Sequence, residues 1–236
     1  METILRTTNL TKKYGNKIAL DNLNLELKKG EVLGVLGPNG SGKTTFLKII
    51  AGLHKKTSGE ITICGEEPGI KTKSFVSYLP DRNFLYKWMK ISDARDFYKD
   101  FFPDFNQGSF VNMMEFMNLD VNQKISDLSK GMQEKLNLAL CFSRDARLYV
   151  MDEPIGGVDP LARDMILDSI IDRAFDNKTI IITTQLVRDI ENIFDRCVFL
   201  NDGKVILTGS AEEIRTERNM SIEETFKEIY RGQFND

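Results

Sequence analysis

Gly37-Pro38-Asn39-Gly40-Ser41-Gly42-Lys43-Thr44-Thr45 is the stretch that decides how this chain is read. It matches G-x-x-x-x-G-K-[ST], and its flanks have the texture that motif requires. Before it, Val32-Leu33-Gly34-Val35-Leu36 is a short apolar run suited to a buried strand. After it, Phe46, Leu47, Ile49, Ile50 and Leu53 recur at helical spacing from Thr44 onward. A glycine-rich turn between strand and helix lets backbone N–H groups converge on phosphate oxygens, and the helix N-terminus adds partial positive charge. Asn39, Gly40, Ser41, Gly42, Lys43, Thr44 and Thr45 form the expected nucleotide-binding set. Lys43 can reach the β- and γ-phosphates, and the Thr44 hydroxyl can ligate Mg²⁺. The chain is expected to bind a nucleoside triphosphate.

Farther along, Arg147-Leu148-Tyr149-Val150-Met151-Asp152-Glu153-Pro154 delivers two adjacent carboxylates at the end of an apolar strand over 147–151. Successive strand residues point in opposite directions, which would give the two acids different tasks. Asp152 suits Mg²⁺ through a water, and Glu153 suits orienting or deprotonating an attacking water. Leu128-Ser129-Lys130-Gly131-Met132 precedes a helical stretch, and Ser129 with Gly131 would open that helix with a free N-terminus, a second anion site. A third strand, 179–183, ends in Thr183, Thr184 and Gln185. Ligands gather outside the carboxyl ends of strands in open α/β sheets, so this polar cluster is a further candidate.

Residues 1–36 read as strands and tight turns, and 58–80 as short strands. Between 84 and 145 aromatics and methionines at mostly helical spacing suggest a helical insertion with its own small core. After 146 strand and helix alternate: a helix near 160–174, another near 187–194, then strands 196–200 and 204–208 joined through Asn201-Asp202-Gly203. The last two dozen residues read as charged helix.

Lys plus Arg number 32 and Asp plus Glu 35, for a net charge of −3, so nothing points to a nucleic-acid partner. Cys64, Cys141 and Cys197 lie far apart with no CxxC pair, which fits reduced packing thiols. No signal-peptide core is evident, and no apolar run approaches the ~20 residues of a membrane span. A cytoplasmic protein is expected, reaching the membrane only through a partner.

Taken in order, these motifs resemble the ATP-binding subunits of ABC transporters. Across residues 2 to about 210 the resemblance implies an α/β P-loop NTPase, the ABC-cassette fold, with an N-terminal antiparallel β subdomain and an inserted helical subdomain. One ATPase domain would comprise 1–83 and 146–236 as nucleotide-binding core and 84–145 as the helical insertion. The resemblance places Tyr14 where an aromatic stacks on adenine, Leu79-Pro80-Asp81 at the Q-loop with Asp81 near the metal, and Gly156-Gly157-Val158-Asp159 as the D-loop. It makes Glu153 and Gln185 the catalytic positions, Thr44, Asp81 and Asp152 the metal-site residues, and ATP with Mg²⁺ the cofactors. Ser129 and Gly131 would act on the ATP of a partner subunit in a homodimer or heterodimer. A separately encoded transmembrane permease on the inner face of the cell membrane would complete the transporter.

Four residues depart from the family pattern. Lys130 and Met132 stand within the usual LSGGQ run, Asp81 replaces a glutamine, and Gln185 replaces a histidine. The YLPD, SKGM and FPDF spellings resemble the ABC-2-type bacitracin- and drug-exporter-like branch of Gram-positive bacteria. Asp81 and Gln185 leave open a regulatory subunit with weak turnover. A soluble ABC protein would ordinarily carry two cassettes or a long coiled-coil insertion.

Overall fold

The computed structural model describes residues 2–156 and 158–231, with only the backbone of Phe175. The chain begins with strands β1 (Thr3–Tyr14), β2 (Lys17–Lys28) and β3 (Val32–Leu36), then helix α1 (Lys43–Ile50). Strand β4 (Ser58–Ile63), the single-turn α2 (Ile70–Lys73) and β5 (Val76–Leu79) follow. Three helices come next, α3 (Ile91–Phe101), α4 (Gln107–Met117) and α5 (Lys130–Phe142). Then come β6 (Leu148–Asp152), α6 (Pro160–Phe175), β7 (Thr179–Thr184), β8 (Arg196–Asn201), β9 (Lys204–Ser210), α7 (Ala211–Arg218) and α8 (Ile222–Ile229).

Two sheets form. The smaller is antiparallel with order β2-β1-β4, and the larger runs β5-β6-β7-β3-β8-β9, parallel except for the β8–β9 hairpin. The alternation of strand side chains sorts the large sheet into two apolar layers. Leu33, Val35, Leu148, Val150, Ile181 and Val198 pack with α1 and the small sheet. Val32, Leu36, Tyr149, Met151, Ile180, Ile182 and Phe199 pack on the other side.

That second layer corrects one expectation. Met89, Ile91, Phe110, Met114 and the buried residues of α5 belong to the same cluster as the sheet face, so the helices share a core with it. Of the aromatics between 84 and 116, Tyr98 and Phe110 are buried, whereas Phe84, Tyr86, Trp88, Phe97, Phe101 and Phe116 are exposed. Helical spacing registers a face and does not tell a solvent-facing aromatic stripe from a buried one.

The FPDF stretch has a structural explanation. Asp104 accepts both Nε and Nη2 of Arg144 at 3.0 Å, while Arg144 also donates to the carbonyls of Val76 (2.8 Å) and Lys73 (3.0 Å). The guanidinium, almost fully buried, lies 4.0 Å over the Phe102 ring. One residue thereby ties the helices to the root of β5.

A helix near 187–194 does not form. Two 3₁₀ turns, Val187–Asp189 and Glu191–Ile193, take its place. Ile190 between them has φ −135°, outside the helical region, and the Glu191 carbonyl accepts from Arg215 Nη2 at 2.7 Å. The C-terminal helices are delimited as their sequences suggest, with Ser210/Glu213 and Ser221/Glu224 capping boxes. Tyr230, fully buried, donates its hydroxyl to the Leu200 carbonyl at 2.8 Å.

Candidate active site

The phosphate loop hangs between the end of β3 and the start of α1. Gly37 has φ +157°, and a Cβ there would lie 2.4 Å from the Leu200 carbonyl oxygen. Gly42 has φ +111° and directly precedes α1, and a Cβ there would lie 2.4 Å from the Ala19 carbonyl oxygen. These glycines answer both to backbone conformation and to close packing. Ser41 is buried, and its carbonyl accepts from the Gly203 amide at 2.9 Å, so the β8–β9 hairpin turn braces the loop from behind.

Lys43 folds back over its own loop. Its ammonium donates to the Gly37 (2.7 Å) and Pro38 (3.2 Å) carbonyls and stands 3.6 Å from Glu153 Oε1. Burial pushes its pKa down, and the Glu153 and Asp152 carboxylates oppose that.

Asp152 is the last residue of β6 and is fully buried. Its Oδ1 accepts from Thr183 Oγ1 at 2.7 Å and Thr44 Oγ1 at 3.2 Å, while Oδ2 has no hydrogen-bond partner. Glu153 lies beyond the strand with φ +51°. Strand alternation is therefore not what separates the two acids; a left-handed backbone turns Glu153 aside. A non-glycine residue there is sterically costly and is held by its surroundings. Its amide donates to the Thr183 carbonyl (3.1 Å) and to Thr183 Oγ1 (3.0 Å). Burial raises the pKa of Glu153, with Lys43 and the Gln185 amide pulling it back. Asp152 is likewise raised by burial, against the hydroxyls of Thr183 and Thr44.

Gln185 follows β7, which lies between β6 and β3. Its backbone N–H donates to Glu153 Oε2 at 3.1 Å, and its side-chain Nε2 donates to Asn39 Oδ1 at 2.8 Å. Thr183 is the residue that motif reading left without a role, although it bonds both acids. The available signal was its place beside Thr184 at the end of an apolar run.

A cleft of about 300 Å³ is lined by Tyr14, Lys17, Ala19, residues 39–45, Asp81 and Glu153. Tyr14, one of these lining residues, is 43% exposed. Among the described residues, no three histidine, cysteine, aspartate or glutamate side chains converge to hold a metal. Asp81 lines the same cleft, and its charge adds to burial in raising the Asp152 pKa. Thr44 and the unpartnered Oδ2 of Asp152 do fit Mg²⁺, which takes one or two carboxylates and completes its shell with phosphate and water oxygens.

Ser129 and Gly131 are absent from that cleft. Ser129 caps α5, accepting from the Met132 amide at 3.3 Å, and is exposed. Gly131 is buried against the start of α6, and a Cβ there would lie 2.7 Å from Asp159 Oδ2. Asp159 caps α6 through Oδ1, which accepts from the Ala162 amide at 3.0 Å. Gly157 of the same loop lies outside the described residues.

Comparison with known proteins decides the family. The ABC transporter family model matches residues 20–156. An ABC transporter ATP-binding protein of Methanocaldococcus jannaschii is 30% identical over 220 residues, covering 91% of this chain and 80% of that protein. This chain is an ABC transporter ATP-binding domain. The Nod factor export ATP-binding protein I of Cupriavidus metallidurans is 32% identical over 222 residues, covering 91% of this cassette and 73% of that relative. A solved ATP-binding subunit of an ABC transporter superposes with a TM-score of 0.86 at 25% identity, over 96% of this cassette and 99% of that structure.

The cassette has a second, more apolar cleft of about 550 Å³ on the far side of Asp81. Pro80, Asp81, Phe84, Phe97, Tyr98 and Phe102 are among its walls. Asn83, also in its lining, donates to Gln133 Oε1 of α5 at 2.8 Å. Among the described residues no helix is long and apolar enough to cross a membrane.

Proposed function

We propose that this cassette hydrolyses ATP and that the closing and opening of a pair of such cassettes powers a separately encoded membrane permease. The observation that carries this reading is the setting of Glu153. A half-buried carboxylate with a strained backbone stands between the Lys43 ammonium and the Gln185 amide, one residue from Asp152. Such an arrangement has a use where a water must be aligned and relieved of a proton.

In this reading the loop amides and the N-terminus of α1 hold the triphosphate, and Tyr14 meets the base. Lys43 exchanges its loop carbonyls for phosphate oxygens. Glu153 accepts the proton of the water that attacks the γ-phosphorus, the bond to the β-phosphate oxygen breaks, and ADP and phosphate leave. Gln185 offers a donor toward a phosphate oxygen and an acceptor toward the water. Thr44 and Asp152 would hold Mg²⁺, which when bound offsets phosphate charge.

Ser129 and Gly131, turned away from their own cleft, would cover the γ-phosphate of a second cassette, identical or not. The apolar cleft beside Asp81, with the exposed Phe84, Tyr86 and Trp88 following it, is the expected seat of the permease on the inner membrane face. The helical insertion, 84–145, is the part expected to move relative to the core formed by 1–83 with 146–236, which together build the larger sheet. Relatives named for Nod factor export favour export, as do the sequence spellings of the ABC-2-type branch.

Steady-state phosphate release by the purified chain with Mg²⁺ and ATP tests the proposal. Turnover that is lost in Glu153→Gln supports it. A parent chain that binds ATP but releases no phosphate, even with its co-encoded membrane protein, would overturn hydrolysis in favour of a regulatory subunit.

A further inference from the structure

The ring of Tyr14 is held over a face and at an edge by two residues that no motif includes. Lys12 and Tyr14 lie two apart on β1 and so share a face. The Lys12 ammonium stands 4.7 Å from the Tyr14 ring centroid. His54, the chain's sole histidine, meets the ring edge-on at 5.8 Å and 90°, and its Nδ1 lies 3.3 Å from the Tyr14 hydroxyl. Which of these two atoms donates is set by the imidazole tautomer. Tyr14 lines the nucleotide cleft, whereas Lys12 and His54 do not.

Both supports are themselves fixed. Lys12 donates to the Lys55 carbonyl at 2.7 Å, and the Lys13 amide donates to Thr57 Oγ1 at 2.9 Å. The amides of Leu53 and His54 donate to the Lys48 carbonyl in α1, at 2.8 and 3.1 Å. The helix whose N-terminus meets the phosphate loop thus carries, just past its other end, the residue that steadies the aromatic ring.

An aromatic side chain 43% exposed would ordinarily lose rotamer freedom on stacking against a ligand. A ring already held by an edge contact, a hydroxyl contact and a cation over one face has lost that freedom in advance. We propose that His54, with Lys12, pre-sets Tyr14 as the platform for the nucleotide base, making His54 a positioning residue for base recognition. The proposal rests on the ATP-binding reading of the cleft and adds a determinant of how strongly the base contributes to it.

The test compares binding of ATP and of inorganic tripolyphosphate, each with Mg²⁺, to the full chain by calorimetry. His54→Ala is expected to weaken ATP about three- to tenfold, the scale of one immobilised side chain, and to leave tripolyphosphate unchanged. Tyr14→Ala should weaken ATP further, and His54→Ala should add nothing on that background. His54→Gln, whose amide can still pair with the phenol, should recover part of the loss. Equal weakening of both ligands in His54→Ala would mean damage to the loop and would overturn the proposal, as would unchanged ATP affinity. A parent chain that binds tripolyphosphate as tightly as ATP would overturn the platform while leaving the phosphate-loop reading standing. A parent that binds neither would remove both.

Discussion

Gln185 Nε2 donates to Asn39 Oδ1 at 2.8 Å, so the residue after β7 is linked directly to the phosphate loop. Its backbone N–H is meanwhile bound to Glu153 Oε2. An amide at this position therefore joins loop and carboxylate without carrying charge. Gln185→Ala keeps the backbone contact and loses the side-chain donor, and turnover is expected to fall by up to ~10²-fold. Gln185→His should match or exceed the parent and add a rise in rate as pH drops through ~6.5, where imidazole becomes cationic. Rate against pH for the three proteins checks both statements; an alanine variant as fast as the parent would remove Gln185 from the machinery.

Glu153→Gln preserves size and removes the base. Hydrolysis should be nearly abolished while ATP still binds, and an ATP-dependent dimer should accumulate on size-exclusion chromatography. In the parent, burial raises the Glu153 pKa above its ordinary value, and the base works only when ionised. Activity should therefore fail on the acid side at a pH above the ~4.3 of a free glutamate. An acid limb below that value would show that Glu153 is not the group titrating.

Gly131 and Asp159 share one space. A methyl at 131 would meet Asp159 Oδ2 at 2.7 Å and Ala162 Cβ at 3.0 Å. Gly131→Ala should destabilise the fold by ~1–3 kcal/mol through overpacking. Asp159→Ala alone should cost ~0.5–2 kcal/mol through the lost cap of α6. Because the second change clears room for the first, the double variant should lose less than the sum in urea denaturation. Simple additivity would show that the two residues do not crowd each other.

Asp104→Ala leaves the buried Arg144 without its carboxylate but with two carbonyl acceptors. The cost of breaking a buried pair is ~3–5 kcal/mol, and the surviving bonds place this case near ~3. For a chain of this length that lowers Tm by roughly 6–12 °C. A shift under two degrees would mean that Arg144 finds water once the carboxylate is gone.

Much of the fold was legible because its signals are local. Val32–Leu36, the loop through Thr45, and Leu148–Asp152 each declare their conformation within a few residues. Thr183 does not, because its bonds to Asp152 and to the Glu153 amide exist only once β7 lies beside β6. The same holds for Gly203, whose sequence announces a hairpin turn and whose amide turns out to brace Ser41. Ile190 was misleading for a related reason: its apolar spacing suits a helix, but the carbonyl beside it is claimed by Arg215 from a distant helix. The exposed rings of Tyr86 and Trp88 look like core in composition and are stacked on each other at 5.9 Å in solvent.

The order β6-β7-β3 puts Asp152 opposite Thr183, and Leu36 opposite Thr184. Strands in a sheet stand ~4.8 Å apart, so carboxylates, polar strand end and phosphate loop occupy three adjacent stations on a fixed ruler. What is mounted at a station can change while its starting point does not. On the proposed reading, exchanging an imidazole for an amide at position 185 would retune the chemistry as a machinist changes a bit in the same chuck, leaving the lathe as it was.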